Sequence, residues 1–315
     1  MTGTSAVAAV DCGTNSTRLL VVDEAGTTLA REMRITRLGQ GVDQTGRLAP
    51  DAIGRTLSVL RDYRETIERF GVRKTRVVAT SAARDAKNSD AFMSEAASIM
   101  GLIPEVLSGT DEGRLAFAGA TAHLGDELTA SGPVLVVDIG GGSTEFSIGH
   151  PRAGTVTPDV ATRSLDIGCV RISERFLRHD PPRPDELEQA RHMVEREIAA
   201  VRNVLPTLEP ASLLIGLAGT VSTLASLEYS VTYYDRARIH HAVLSRAAVE
   251  SWLEVLAAET ASERLVRPGM AEGRQDVIVG GVLILAVVME QFRCGRCLVS
   301  EDDILDGLAA TLLGD

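Results

Sequence analysis

The chain has 315 residues, 44% of them hydrophobic and 24% charged, and a formal net charge of −11. That length suits two domains of ordinary size better than one small core, and the acidic balance argues against broad electrostatic binding of DNA or RNA. The longest apolar stretch near the C-terminus, 277–289, is too short to span a bilayer. With no basic segment ahead of an apolar run at the N-terminus, the expectation is a cytoplasmic protein with neither a membrane nor a nucleic-acid partner.

In chain order, 6–10 and 17–22 read as strands around a Gly-rich turn, and 27–37 as a third strand. A helix from 50 to 70 carries Ile53, Leu57, Leu60 and Ile67 on one face. A buried strand at 76–79, a helix at 90–100, a strand at 104–107 and a helix at 111–124 follow. Residues 126–132 are polar and end in Gly, which suits a domain boundary. The pattern then restarts with strands at 134–137 and 146–148 around a second Gly-rich turn. Residues 151–158 read as a loop or strand entry, and 171–177 and 184–204 as helices. A strand at 213–217 leads into a helix from 221, and helices at 246–258 and 274–291 follow. A strand at 298–300 and a closing helix at 303–313 complete the chain. The expected division is 1–125 plus a C-terminal helix at about 302–315 that packs back on it, and 126–301. The fold class is α/β, built from layers repeated twice.

Two segments share one design. Asp11-Cys-Gly13-Thr-Asn15-Ser16-Thr17-Arg18 and Asp138-Ile-Gly140-Gly141-Gly142-Ser143-Thr144-Glu145 each follow an apolar run. In both, a carboxylate closes a strand and glycine lets backbone approach a ligand. Successive N–H groups in such a turn form an anion nest. One copy alone could be a simple hairpin; two at matched spacing point to one phosphate-bearing ligand between two related domains. Arg18 against Glu145 is where the copies diverge. Asp138 and Glu145 are hard oxygen donors of the kind Mg²⁺ takes, although Glu145 also reads as an exposed strand carboxylate.

Other groups keep two readings each. Arg84, in Ala79-Thr-Ser-Ala-Ala-Arg84-Asp-Ala-Lys-Asn88, suits a bidentate phosphate contact or a solvated loop before a helix N-cap. Glu112, after Ser108, is either a partner of the helix dipole or a general base for water. Gly219 and Thr220 sit at a strand-to-helix turn typical of phosphate or nucleotide contacts. Arg264, Arg267 and Arg274 either rim a polyanion path or lie on a solvated surface. His240-His241 reads as a loop or strand edge, and Cys294-Gly-Arg-Cys297 as a turn entering a strand, since a lone C-x-x-C is a weak zinc or redox signal.

These motifs, with Ser108-Gly-x-x-Glu112, Gly219-Thr220 and Arg274-x-Asp-Val-Ile-x-x-Gly280, together resemble the exopolyphosphatase / guanosine pentaphosphate phosphohydrolase family of the actin–Hsp70–sugar-kinase superfamily. The resemblance implies duplicated ribonuclease-H-like domains with the site between them. It implies removal of the terminal phosphate from linear inorganic polyphosphate with Mg²⁺ or Mn²⁺. Glu112 would be the catalytic base, with Asp138 and Glu145 beside it. Asp11, Asp138 and Glu145 would hold the metal. Asn15, Ser16, Thr17, Arg18, Arg84, Gly140, Gly141, Gly142, Ser143, Gly219 and Thr220 would hold phosphates. The family usually has two glutamates and an alanine where this chain has Asp111, Glu112 and Gly113, so the entry of that helix is expected to differ. Longer members carry further C-terminal domains; a chain ending at Asp315 suggests short polyphosphates or a nucleotide such as guanosine pentaphosphate, and a homodimer. A (p)ppGpp-binding sensor and a kinase on the same fold are the competing readings.

Overall fold

The computed structural model describes residues 6–125, 132–151, 160–202, 204–205 and 213–314. The expected boundary at 126–132 and the segment 151–158 fall almost wholly outside them. Among the described residues no helix is long and apolar enough to cross a membrane.

Two sheets repeat one topology. The first contains β1 (Ala6–Cys12), β2 (Ser16–Asp23), β3 (Thr28–Ile35), β4 (Lys74–Ala79) and β5 (Glu105–Val106), in the order β3-β2-β1-β4-β5. The second contains β6 (Val134–Ile139), β7 (Thr144–Gly149), β8 (Val160–Leu165), β9 (Leu213–Leu217), β10 (Val243–Ser245) and β11 (Arg296–Val299), in the order β10-β11-β9-β6-β7-β8. In each, an antiparallel strand triplet is extended by two parallel strands beyond its first member, and the second sheet adds β10 antiparallel to β11. This is the ribonuclease-H-like order, present twice. β1 and β6 are central and wholly buried, as apolar runs without alternation imply.

Three large cores hold the chain. One lies outside the first sheet, where Tyr63 of the helix Pro50–Arg69 and Phe92 of the helix Ser89–Met100 are fully buried. One lies outside the second sheet, around the helix Ile278–Gln291. The third joins the two: Val7 and Leu20 of the first sheet share it with Val136, Ile215 and Leu298 of the second. The helices Gly109–Thr121 and Ile304–Gly314 fill that shared layer through Phe117, Ile304 and Leu308, and they pack on each other.

Some elements differ from the sequence reading for physical reasons. β8 was not expected, because its inward positions are hydroxylic: Thr162 bonds Ser147 and Ser164 bonds Glu145. The helix expected from 274 begins at Ile278. Gly273, at φ 82, turns the chain just before Arg274 and leaves that residue in a turn. The helix after β9 starts at Ala218, three residues early, from a left-handed φ of 67. A short helix, Ser81–Asp85, occupies what read as loop.

Candidate active site

The twin turns adopt one geometry. Gly13 N–H donates to the Ser16 carbonyl at 3.0 Å, and Gly140 N–H to the Ser143 carbonyl at 3.0 Å. The strand ladders then set Asp11 opposite Arg18 and Asp138 opposite Glu145. The turns meet across a single cleft lined by Gly13–Ser16 on one side and Gly140–Ser143 on the other. The amides of Thr14, Asn15, Gly141 and Gly142 form no hydrogen bond within the described protein, and neither carboxamide atom of the buried Asn15 has a partner. These are the donors an anion would find.

Glu112 reaches the cleft from the first turn of the helix Gly109–Thr121, which Ser108 caps by accepting from Asp111 N–H at 3.1 Å. Gly113 decides how close it comes. A Cβ there would lie 2.5 Å from Thr162 Cγ2 and 2.8 Å from Ser147 Oγ. The bare backbone instead lets Ser147 donate to the Gly113 carbonyl at 3.0 Å. Gly109, one turn earlier, presses on Ser164 in the same way. Glycine at 113 thus seats the helix start directly on β7 and β8.

Burial of carboxylates dominates the electrostatics, with mutual repulsion second. Desolvation pushes Asp138 up to about 8, with Glu145 adding repulsion. Desolvation pushes Glu145 up to about 7 against hydrogen bonds from Ser164 and Ser143. Glu112 stands well above the usual carboxylate range because it is desolvated and faces Glu145 and Asp138, with Arg84 opposing. Asp11 is raised by burial, against the pull of Arg18. Three of these groups, Asp11, Glu112 and Asp138, line the cleft and Glu145 is buried opposite Asp138; displaced proton affinities gathered in this way are typical of a functional site.

The cations divide by what they already hold. Arg84 donates to Glu112 at 3.3 Å and to the Leu107 carbonyl at 2.9 Å, so it bears on the cleft through Glu112 and does not line it. Arg18 lines the cleft but is held by Asp11 at 2.6 Å and by Asp303. Arg274 lines it and has no hydrogen bond or ion pair from its side chain among the described residues. Its guanidinium lies on Gly219, where a Cβ would come within 1.8 Å of it. Burial lowers its proton affinity, and Arg18 repels it; an anion would relieve both.

Several expected site residues lie elsewhere. Thr17 is buried on the opposite face of β2, 2.9 Å from Thr36 Oγ1. Thr220 is buried under Gly281, although Gly219 lines the cleft. Arg264 is bound to Asp180 at 2.8 Å and Arg267 to Glu259, both away from the cleft. His240 and His241 stack at 3.8 Å, and burial lowers His240 to about 4. The four cysteines are free, with Cys297 buried in β11. Thr14, of the first turn, lines the cleft, as do Thr80, Ser81 and Ala218, to which the sequence assigns no individual role.

Asp11 Oδ1 and Glu145 Oε2 are buried without hydrogen-bond partners, a donor set that fits a hard cation. Among the described residues no three His, Cys, Asp or Glu side chains are grouped to hold a metal between them. The expected set of Asp11, Asp138 and Glu145 is therefore not a closed cage, and Asp11 is engaged by Arg18. The arrangement suits Mg²⁺, which takes one or two carboxylates and completes its shell with water and phosphate oxygens.

Residues 19–313 match the model of the Ppx/GppA phosphatase family. The chain is 44% identical to Exopolyphosphatase 2 of Mycobacterium tuberculosis, with 98% of each chain covered. It superposes on the Aquifex aeolicus PPX-GPPA enzyme with a TM-score of 0.79 at 34% identity, covering 98% of this chain and 99% of that one. An exopolyphosphatase from Cytophaga hutchinsonii gives a TM-score of 0.88 at 26% identity, with 98% of each covered.

Proposed function

The chain belongs to the Ppx/GppA phosphatase family, and from that premise we propose that it is an exopolyphosphatase, hydrolysing the terminal phosphate of linear inorganic polyphosphate to orthophosphate. One observation carries the reading: two turns with free amides and Arg274, without partners among the described residues, surround the cleft into which Glu112 projects. Phosphoryl transfer needs positioning and charge neutralisation more than covalent help. In this reading Glu112 orients and deprotonates the attacking water, and Arg84 holds Glu112 in place. The amides of the two turns, Asn15, Ser16, Ser143 and Arg274 bind successive phosphates. Asp138 and Glu145 would hold Mg²⁺ or Mn²⁺, which supplies charge neutralisation at the phosphate oxygens when bound.

A second reading, hydrolysis of guanosine pentaphosphate (pppGpp), is favoured by an adjoining chamber of about 580 Å³. It shares Arg18, Gly219 and Arg274 with the cleft, and Met33, Tyr233 and Tyr234 give it an apolar wall of nucleoside size. Phosphate release from defined-length polyphosphates, pppGpp and ATP, each with and without Mg²⁺, tests both. Release from polyphosphate without an acceptor supports the first; release confined to pppGpp supports the second. Saturable binding without release would leave a sensor. A homodimer is part of the proposal, checked by sedimentation.

A further inference from the structure

The three glycine carbonyls of the second turn are all held by residues at the start of the helix Cys169–Phe176. Cys169 N–H donates to the Gly140 carbonyl at 2.9 Å, and Val170 and Arg171 N–H donate to that of Gly141 at 2.9 and 3.2 Å. The Gly142 carbonyl is held by a side chain instead: Arg171 Nε donates to it at 2.8 Å. A planar peptide carries its C=O and N–H on opposite sides. Fixing these oxygens on that helix therefore turns the amides of Gly141, Gly142 and Ser143, residues that line the cleft, away from the helix. Arg171 alone decides the last of the three.

The rest of the same guanidinium belongs to the other lobe. Its Nη1 donates to Asp43 Oδ1 at 2.8 Å, and its Nη2 to Asp85. Asp43 is further clamped by Arg175, and Glu174 accepts from Gly41 N–H at 3.1 Å. Asp85 ends the helix Ser81–Asp85, whose preceding residue, Arg84, holds Glu112. One side chain thus touches the phosphate turn of the second lobe and the helix that steadies the base on the first.

We propose that Arg171 is a positioning residue through which closure of the two lobes sets the second phosphate turn. With the lobes together, Asp43 and Asp85 fix the guanidinium plane and the Gly142–Ser143 peptide is locked. With the lobes apart, both counter-charges are lost and that peptide is free to rotate its amide away. Bound phosphate is then held without the aligned donor, and hydrolysis waits for closure. The inference rests on the phosphohydrolase reading above.

The test compares the parent with Arg171→Met, Arg171→Lys, Asp85→Asn and the double variant R171M/D85N. Each is assayed for kcat and KM on polyphosphate with Mg²⁺, and for thermal midpoint. Loss of one preorganised donor predicts that R171M lowers kcat by about 100-fold, with KM within about threefold. R171K is expected to fall between, because an ammonium lacks the planar fork that meets three acceptors at once. D85N, which leaves the turn untouched, is expected to lower kcat by about tenfold, and the double variant to be no worse than R171M. Unchanged kcat in D85N, losses that multiply in the double variant, or a lowered midpoint with kcat intact overturns the inference. A parent that releases no phosphate from polyphosphate refutes the functional reading instead.

Discussion

Glu112→Gln tests the assignment of the base most directly. The substitution keeps shape and removes the proton acceptor. The carboxylate is 12% exposed, is bonded among the described residues only to Arg84, and faces Glu145 and Asp138. Its charge is therefore repelled in the free protein, so removing it relieves strain on two neighbours and leaves one arginine hydrogen bond to an amide oxygen. Stability should hold or rise. General-base assistance is worth about 10²–10⁴-fold, and kcat should fall by that amount. A negative charge near the terminal phosphate opposes binding, so KM should stay level or drop. Phosphate release from a defined-length polyphosphate, with thermal unfolding as the control, reads all three quantities. A folded variant with kcat within a few-fold of the parent would remove Glu112 from its role.

Two further expectations follow from the same charges. Asp138 at about 8 and Glu145 at about 7 lie above their unfolded values of 3.8 and 4.5, so the native state binds protons that the unfolded chain releases. Their stabilising contribution is full below about pH 4 and is lost as pH rises to about 8. The metal-free thermal midpoint should decline across that window, and Mg²⁺ should raise it more at pH 8 than at pH 5; a flat profile to pH 8 counts against the crowding. Arg274→Gln removes a guanidinium with no hydrogen-bond or ion-pair partner among the described residues, so stability should not suffer. A lost hydrogen bond to a charged group, about 1.5–3 kcal/mol, should raise KM for polyphosphate by roughly 10–150-fold; an unchanged KM places the polymer elsewhere.

The legible parts of the site were those where chemistry and spacing coincide. An apolar strand, Asp, Gly and Ser at fixed intervals give the twin turns whatever surrounds them. Thr17 was misplaced although the sequence held the correction. In an antiparallel hairpin alternate residues face opposite sides, and if Asp11 and Arg18 face the cleft then Cys12 and Thr17, paired next along, face the core. Thr144, paired with Ile139 in the second copy, likewise turns inward to the Ile167 carbonyl. Arg274 was undervalued for a different reason. Its run reads as one helix, and only the left-handed Gly273 and the packing of Gly219 free that guanidinium for the cleft. Arg171 carried no motif, since its meaning lies in bonds to residues 29, 86 and 128 positions away.

One substitution between the duplicated turns separates their tasks. In the first lobe the residue opposite Asp11 is Arg18, and its guanidinium meets Asp11 and Asp303. Arg18 there opposes the cost of burying Asp11, which leaves the turn to grip. In the second lobe the residue opposite Asp138 is Glu145, and repulsion adds to burial in raising both Asp138 and Glu112. Charge there is unsettled and calls for a cation or a proton. Glu145→Gln should expose this asymmetry. The metal-free variant should be more stable than the parent at pH 8, where the parent's carboxylates repel one another, and equal to it near pH 4, where they are protonated. Its gain from Mg²⁺ should shrink, because one of two candidate ligands is gone. Phosphate release should fall even though the fold is firmer. If the variant is instead less stable than the parent at pH 8 without metal, Glu145 is held by its serine hydrogen bonds more than it is repelled, and the division of labour between the turns fails with it.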